Sequence, residues 1–221
     1  MTMTMTTANK YYFVSAMLIA AVVASTIAAY PYLPTLVPTH WDAQGHVNGM
    51  SPKWMLFVLN PGIMALTLLI FYFLPWLSPK QFQVESFHST ALYIMVAMLV
   101  LLTYIHGLIL AAALSWMLDV GRAVEGGVCL LLALMGNVMG KVRRNFFIGI
   151  RTPWTLASEP VWNATHRFAA RTLFVGGLLG LLAVILHAPF WLPMAAILTA
   201  ALVPVIYSLV LYKQLERRGA L

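Results

Sequence analysis

Six long apolar stretches alternate with shorter polar segments along this sequence. They cover, approximately, residues 11–30, 54–77, 90–114, 124–140, 171–187 and 190–212. An α-helix needs about twenty apolar residues to cross the hydrocarbon core of a bilayer. The pattern therefore predicts an all-α, polytopic integral membrane protein with about six transmembrane helices.

The composition agrees with this prediction and excludes several classes of protein. Hydrophobic residues make up 62% of the 221 positions and charged residues only 9%. Soluble domains are about half apolar and about a quarter charged, so a standalone soluble enzyme and a disordered chain are both excluded. The single cysteine, Cys129, lies in an apolar stretch and has no partner for an internal disulfide.

The basic residues are distributed unevenly between the two sides that six spans define. One side holds Lys10, Lys80, Lys141, Arg143, Arg144, Arg151, Arg167, Arg171, Lys213, Arg217 and Arg218, whereas the other holds only Lys53 and Arg122. Cytoplasmic loops of membrane proteins carry the excess of Lys and Arg. We therefore expect both termini in the cytoplasm. The net charge of +7 is explained by topology, and no nucleic-acid-binding motif accompanies it.

Small residues and prolines predict two local features of the spans. Asn60-Pro61-Gly62 lies near the start of the second span and predicts a kink or a local unwinding of the helix. The pairs Gly136/Gly140 and Gly176/Gly180 have the spacing at which helices approach closely in lipid. We expect these glycines to serve helix packing.

The predicted outer loop, residues 31–53, contains His40, Asp42 and His46 beside Trp41. The favoured interpretation is a structured turn, in which His40 and Asp42 bond loop backbone and Trp41 lies at the membrane interface. Recognition of a peptide or another ligand is the second interpretation. A transition-metal site is the third and is not favoured, because the spacing matches no zinc signature.

The predicted inner loop, residues 141–170, combines arginines with aromatic side chains. These are Arg143, Arg144, Arg151 and Arg167 with Phe146, Phe147, Trp154 and Trp162. The combination suits anionic lipid headgroups. Docking of a cytoplasmic partner is the alternative functional interpretation.

The spans carry few groups that could perform chemistry. Apart from their ends they contain no Asp, Glu, Lys or Arg, which disfavours an ion-coupled transporter. His106 is the main polar candidate, and Tyr104 is close enough in sequence to satisfy it. No intramembrane protease constellation is present, so we expect a protein that is not an enzyme and has no cofactor.

Two groups of loop residues resemble known signatures. Val37-Pro38-Thr39-His40-Trp41, Gly45, Asn48-Gly49 and Lys53 resemble the signature of a small membrane domain of unknown function. A second group comprises Gly136-Asn137, Lys141, Asn145, Gly149-Ile150-Arg151-Thr152-Pro153-Trp154-Thr155-Leu156, Trp162 and Thr165-His166-Arg167. This group resembles the signature of the SdpI family, in which both domains commonly occur in this order. The resemblance covers residues from about 15 to 212.

The resemblance implies a multi-pass protein of the bacterial cytoplasmic membrane with a function in immunity. Family membership implies resistance to a secreted, membrane-active peptide toxin, and retention of a transcriptional repressor at the membrane when toxin is present. It implies an N-terminal two-helix domain (residues 1–77) and an SdpI-like four-helix domain (residues 78–221). The expected partners are membrane lipids, an extracellular peptide toxin and a cytoplasmic repressor, with no direct contact to nucleic acid.

The expected site residues fall into two sets. Ligand-binding residues are expected in the outer loop: His40, Trp41, Asp42, Gly45 and Lys53. Partner-binding or loop-organising residues are expected around the inner loop: Asn137, Lys141, Asn145, Arg151, Trp154, Trp162, His166 and Arg167. Two alternatives stay open, a membrane transporter and a metal-dependent membrane enzyme that uses His40, Asp42 and His46.

Overall fold

The protein is a bundle of long helices, described by a computed structural model over residues 5–42 and 45–221. The long helices are α1 (Met5–Ala29), α2 (Leu59–Leu77), α3 (His88–Ala113), α4 (Val120–Met139), α6 (Glu159–Ile185) and α7 (Trp191–Arg217), and a short helix, α5, covers Pro153–Ala157. Within the described residues, six helices are long and apolar enough to cross a membrane. The predicted all-α, polytopic fold with six spans is confirmed.

Two helix starts differ from the sequence-based expectation. The fourth span begins at Val120 rather than Val124, because the Asp119 carboxylate caps α4 by accepting a hydrogen bond from the Arg122 N–H at 3.0 Å. Asn60-Pro61-Gly62 form the first turn of α2, where proline is tolerated, so of the two expected outcomes a kink inside the helix is not observed. The second span is instead interrupted just before them, where a 3-10 helix (Lys53–Phe57) ends and α2 begins at Leu59. The Asn60 amide instead donates to the Leu102 carbonyl of α3 at 2.8 Å.

The connection between α1 and α2 contains a β-hairpin that the sequence analysis did not predict. Strands β1 (Leu36–Trp41) and β2 (Val47–Pro52) pair antiparallel, with register shifts on either side of His40. Gly49 faces His40 so closely that a Cβ at Gly49 would lie 2.8 Å from the His40 Cβ. The hairpin gives the outer loop a fixed shape.

The hairpin is fastened to the bundle by apolar contacts and by a lysine. Leu33, Val37 and Leu56 are buried against Leu110 and Ala113 at the end of α3. The Lys53 ammonium donates to the carbonyls of Tyr30 and Leu33 at 3.1 and 3.2 Å, and it also lies over the Tyr30 ring. These contacts join the end of α1 to the start of α2, so the hairpin has a defined position over α3.

Glycines allow α4, α6 and α7 to pack with their backbones in contact. A Cβ at Gly136 of α4 would lie 2.4 Å from the Phe174 nitrogen of α6, and a Cβ at Gly177 of α6 would lie 2.6 Å from the Ala133 nitrogen of α4. A Cβ at Gly176 would meet Ala200 of α7 at 2.6 Å. A Cβ at Gly180 would meet the Cys129 Sγ at 2.6 Å, whereas a Cβ at Gly140 would make only an ordinary contact at 3.8 Å. Small residues enable such approaches in lipid, so the predicted packing role is confirmed for Gly136, Gly176 and Gly180 but not for Gly140.

The bundle has two ends with different chemistry. The hairpin end carries the hairpin, the α3–α4 turn at residues 114–119 and the α6–α7 turn at residues 186–190. The Arg122 guanidinium of α4 donates a hydrogen bond to the Ala188 carbonyl and so holds the α6–α7 turn against α4. The basic end carries the α2–α3 turn at residues 78–87 and the loop at residues 140–158. The main core lies between these ends and draws on residues from both sides of the predicted domain boundary at residues 77 and 78.

Candidate functional site

A cleft of about 580 Å³ lies at the hairpin end between the hairpin and three helices. Its lining residues are Thr39, His40, Trp41, Asp42, Gly45, Ile105, Ile109, Asp119, Val120, Gly121, Arg122, Val124, Glu125, Phe190 and Met194. The hairpin forms one wall, and α3, α4 and α7 form the others. This volume lies within the range of ligand-binding clefts in proteins.

The cleft is closed at the hairpin tip by two glycines. Gly45 has a φ of 83°, a left-handed conformation that glycine adopts without steric cost. A Cβ at Gly121 of α4 would lie 3.3 Å from the Gly45 Cα. The tip of the hairpin therefore lies directly against the first turn of α4, and the Asp119 carboxylate lies beside Gly45.

The charges of the cleft are mainly negative. Asp42, Asp119 and Glu125 line it together with a single basic residue, Arg122. Arg122 already pairs with Asp119 at 3.3 Å. Glu125 is half-buried on the second turn of α4 and makes no hydrogen bond with any residue in the described part of the chain. Since the other walls are largely apolar, the cleft combines an apolar surface with available negative charge.

The structure brings four of the five predicted outer-loop residues to this cleft. His40 and Trp41 lie on β1, and Asp42 and Gly45 lie at the tip. Lys53 lies elsewhere, because its ammonium is held by the carbonyls of Tyr30 and Leu33 described above. The ligand-binding role of all five residues stays a prediction.

Hydrogen bonds define the tip of the hairpin. The Asp42 carboxylate accepts from the His46 N–H at 2.9 Å and lies 3.5 Å from the His46 ring, whereas the His40 ring bonds the Asn48 side chain. Of the two backbone contacts expected at this turn, Asp42 makes one and His40 bonds a side chain instead. Across residues 5–42 and 45–221, no three His, Cys, Asp or Glu side chains are grouped as a metal ion would require.

Asp119 and Glu125 were missed by the sequence analysis. Both residues lie near the predicted boundary of the fourth span, where a charge is ordinary and draws no attention. A capping Asp three residues before Arg122 was the available signal for a helix that starts earlier. With the start at Val120, Glu125 lies inside the helix, about 8 Å along its axis.

The loop at the basic end is organised by Asn145, which is fully buried. Its amide nitrogen donates to the carbonyls of Arg143 and Ile148 at 2.7 and 3.0 Å. Its carbonyl oxygen accepts from the N–H groups of Phe147 and Ile148, both at 2.7 Å. One side chain thus satisfies four backbone groups and fixes the loop conformation.

Trp162 and His166 of α6 hold the same loop from the other side. The Trp162 indole donates to the Val142 carbonyl at 2.9 Å, and its ring stacks on His166 at 4.0 Å. The His166 Nε2 accepts from the Ile150 N–H at 3.0 Å, so the ring proton lies on Nδ1 and is donated to the Trp162 carbonyl. Gly149 has a φ of 107°, and a Cβ there would lie 2.3 Å from the His166 Nε2.

The remaining predicted inner-loop residues differ from this group. Trp154 donates its indole N–H to Ser208 of α7, and Arg151, which is exposed, donates to the Phe146 carbonyl. Asn137, Lys141 and Arg167 are exposed. The predicted set therefore separates into buried residues that hold the loop and exposed residues that face outward from it.

The expectation that Tyr104 is the hydrogen-bond partner of His106 is wrong. The Tyr104 hydroxyl donates to the Ala123 carbonyl of α4, and the His106 Nε2 bonds the Thr26 hydroxyl of α1 at 2.8 Å. Tyr104 and His106 lie two residues apart on α3, so their side chains point in different directions.

Comparisons with known proteins confirm the predicted resemblance. Residues 141–208 match the SdpI/YfhL protein family, and residues 16–65 match the domain of unknown function DUF1648. Immunity protein SdpI of Bacillus subtilis (strain 168) is 29% identical over 168 residues, which cover 76% of this chain and 78% of that protein. No solved structure matches the chain. The two matched segments occur in the predicted order and include most of the two groups of loop residues.

Proposed function

We propose that this SdpI-like, multi-pass membrane protein gives immunity to a secreted, membrane-active peptide by capturing it in the hairpin-end cleft. The observation that carries the proposal is the cleft itself, in which the carboxylate of Glu125 lies among apolar side chains of α3, α4 and α7. The likeness to an immunity protein supports the biological role. In this role the protein binds its ligand and catalyses no reaction.

The chemistry of the cleft favours a cationic, amphipathic peptide. Membrane-active peptides commonly carry Lys or Arg on one face and large apolar residues on the other. Ile105, Ile109 and Met194 offer apolar contact, and Glu125 offers a carboxylate without a hydrogen-bond partner among the described residues. A basic side chain of the peptide would pair with Glu125 while its apolar residues fill the cleft.

His40, Trp41 and Asp42 would form the outer lip of the capture site. They lie on the hairpin wall, which faces the water at the membrane surface in the expected orientation. Gly45 and Lys53 would contribute by shape, because one sets the tip of the hairpin and the other fastens its base.

The direct test is a protection assay in a toxin-sensitive bacterium. Cells expressing the wild type or a variant at matched membrane levels receive the family's peptide toxin, and their membrane potential is recorded. Glu125→Gln keeps the size of the side chain and removes its charge, so we expect protection to need about ten times more protein. Glu85→Gln is the matched control, because Glu85 is exposed at the basic end.

Two further variants separate capture from folding. His40→Ala and Asp42→Ala alter the lip, and we expect each to weaken protection while the protein still inserts. Full protection by Glu125→Gln together with both lip variants would contradict capture in this cleft. Collapse of the membrane potential at the same rate with and without wild-type protein would contradict immunity to that toxin.

The second part of the proposal concerns the basic end, where exposed side chains would hold an acidic cytoplasmic repressor. Lys141, Arg143, Arg151 and Arg167 are exposed around a loop that Asn145 and His166 fix from inside. Basic side chains held in fixed positions attract an acidic surface and orient it. Close packing of α4 on α6 at Gly136 would carry the effect of toxin binding from the hairpin end to this loop.

A fluorescent fusion of the family's repressor tests this second part. We expect the fusion to move to the membrane when toxin is added to cells with wild-type protein. Arg143→Gln combined with Arg167→Gln should leave the repressor in the cytosol while protection persists. Lys10→Gln, which changes an exposed cation on α1, is the control. Membrane recruitment by the double variant equal to that of the wild type would contradict docking at these arginines.

A further inference from the structure

His106 is a buried histidine in the half of α3 that is nearer to the hairpin end. It lies seven residues before the last residue of α3, which is about 10 Å along the helix axis. Its side chain is 1% exposed. Polar side chains at such depth in a membrane helix are costly, and they commonly mark functional sites.

The hydrogen bonds around His106 fix its tautomer. The Thr26 hydroxyl oxygen lies 2.9 Å from the Val22 carbonyl and 2.8 Å from the His106 Nε2. Because a hydroxyl has one proton to donate, both contacts are hydrogen bonds at once only when Nε2 carries the ring proton, and we infer this tautomer. The ring proton therefore lies on Nε2, and Nδ1 carries a bare lone pair. That Nδ1 is buried and has no hydrogen-bond partner among the residues that the structure describes.

A groove of about 380 Å³ lies beside this histidine between α1 and α3. Small side chains open the groove, and it is lined by Ala21, Ser25, Gly107, Ala111 and Trp116 in addition to His106. Several lining residues are exposed on the lipid-facing surface of the bundle, including Ala21, Ser25 and Gly107. A molecule dissolved in the membrane can therefore enter from the side.

We propose that this groove binds a neutral lipid through a free hydroxyl group, which reaches the buried His106 Nδ1 by a small adjustment of the lining side chains and donates a hydrogen bond to it. The ligand must be a donor, because the ring offers only an acceptor. It must be neutral, because the groove contains no Asp or Glu to balance a cation and no Lys or Arg to balance an anion. The apolar lining accepts an acyl chain, and Trp116, which is exposed at the hairpin end, suits the polar boundary of the membrane.

This site is separate from the cleft proposed for peptide capture. The cleft lies between the hairpin, α3, α4 and α7, whereas the groove lies between α1 and α3. The lining sets have no residue in common. Each proposal can therefore fail without the other.

The test uses full-length protein labelled with ¹⁵N-histidine in lipid nanodiscs. The His106 signals are assigned from the spectrum of His106→Phe. Dioleoylglycerol, which has one free hydroxyl, is compared with trioleoylglycerol, which has none. We expect the Nδ1 signal of His106 to shift upfield with dioleoylglycerol alone. His88 is an internal control, because its buried Nε2 also lacks a partner among the described residues but lies outside the groove.

Affinity is measured with a photoreactive diacylglycerol in the same nanodiscs. His106→Phe keeps an aromatic ring of slightly larger size and removes the acceptor, so labelling of the groove should fall about fivefold to tenfold. Thr67→Val is the matched control, because the Thr67 hydroxyl already bonds the Ile63 carbonyl of its own helix and Thr67 lies outside the groove. Its labelling should stay within about twofold of the wild type.

Three results would overturn the proposal. The first is an Nδ1 signal that responds equally to both glycerolipids or to neither. The second is an Nδ1 signal that is already shifted upfield before dioleoylglycerol is added, as bonding to water would produce. The third is equal labelling of His106→Phe and the wild type.

Discussion

Removal of the Asn145 side chain should release the loop at the basic end. Asn145 makes four hydrogen bonds to backbone groups between Arg143 and Ile148. The two bonds with Ile148 are buried, and the bonds with Arg143 and Phe147 are partly buried. Asn145→Ala leaves the Ile148 N–H and carbonyl without partners unless the loop opens to water.

The cost follows from the number and burial of these bonds. An unsatisfied buried backbone group costs about 1–3 kcal/mol, whereas a partly buried group that regains water loses about 0.5–1 kcal/mol. Two groups of each kind give about 3–8 kcal/mol for the closed loop, and about 4 kcal/mol is a value from the lower half of this range. Since about 1.4 kcal/mol changes an equilibrium constant tenfold, the loop should open about a thousand times more often.

Hydrogen exchange at the Phe147 and Ile148 amides measures this opening. The matched control is Asn137→Ala, because Asn137 is exposed and makes no hydrogen bond with a described residue. We expect about thousandfold faster exchange in Asn145→Ala and a change of less than about threefold in Asn137→Ala. Equal exchange in the two variants would refute the assignment of Asn145 as the residue that fixes the loop.

Two further predictions concern packing and the attachment of the hairpin. Gly136→Ala places a Cβ 2.4 Å from the Phe174 nitrogen and should lower the free energy of thermal unfolding by about 1–3 kcal/mol. Gly62→Ala is the control, because its Cβ meets open space and should not destabilise the protein. Equal melting temperatures of the two variants would contradict backbone contact between α4 and α6. Lys53→Met loses the hydrogen bonds to two carbonyls and should speed proteolysis of the hairpin about tenfold. Lys80→Met, at an exposed position of the basic end, is the control and should leave the rate unchanged. Equal rates of cleavage in the two variants would contradict the role of Lys53 in attaching the hairpin to the bundle.

The six spans could be predicted because their signal is local. A run of apolar residues long enough for the bilayer indicates a helix without any knowledge of its neighbours, since lipid leaves few alternatives for the backbone. The glycine spacing at Gly136 was likewise informative, because close approach requires small side chains wherever the partner helix lies. The hairpin was not predicted because its strands contain Pro38 and Gly49, and these residue types are typical of loops.

The candidate sites depend on contacts between distant parts of the chain, which a sequence pattern does not contain. His106 bonds Thr26 across 80 residues, and nothing in the intervening sequence marks the pair. The cleft at the hairpin end joins Gly45, which lies in the matched segment of residues 16–65, to Gly121, which lies outside both matched segments. Such residues become a site only when the helices that carry them pack together.

The motif at the basic end contains residues with different roles, and a resemblance in sequence does not distinguish these roles. Asn137 and Asn145 are the same residue type in the same motif, yet one is exposed and the other is fully buried with four hydrogen bonds. A residue that holds the loop and a residue that contacts a partner are both required for function, so both can be part of one signature. Burial separates them, because a buried Asn145 cannot touch a partner while the loop is closed. If the proposed docking of a partner occurs, substitutions at the exposed Arg143 and Arg167 should alter it without unfolding the loop.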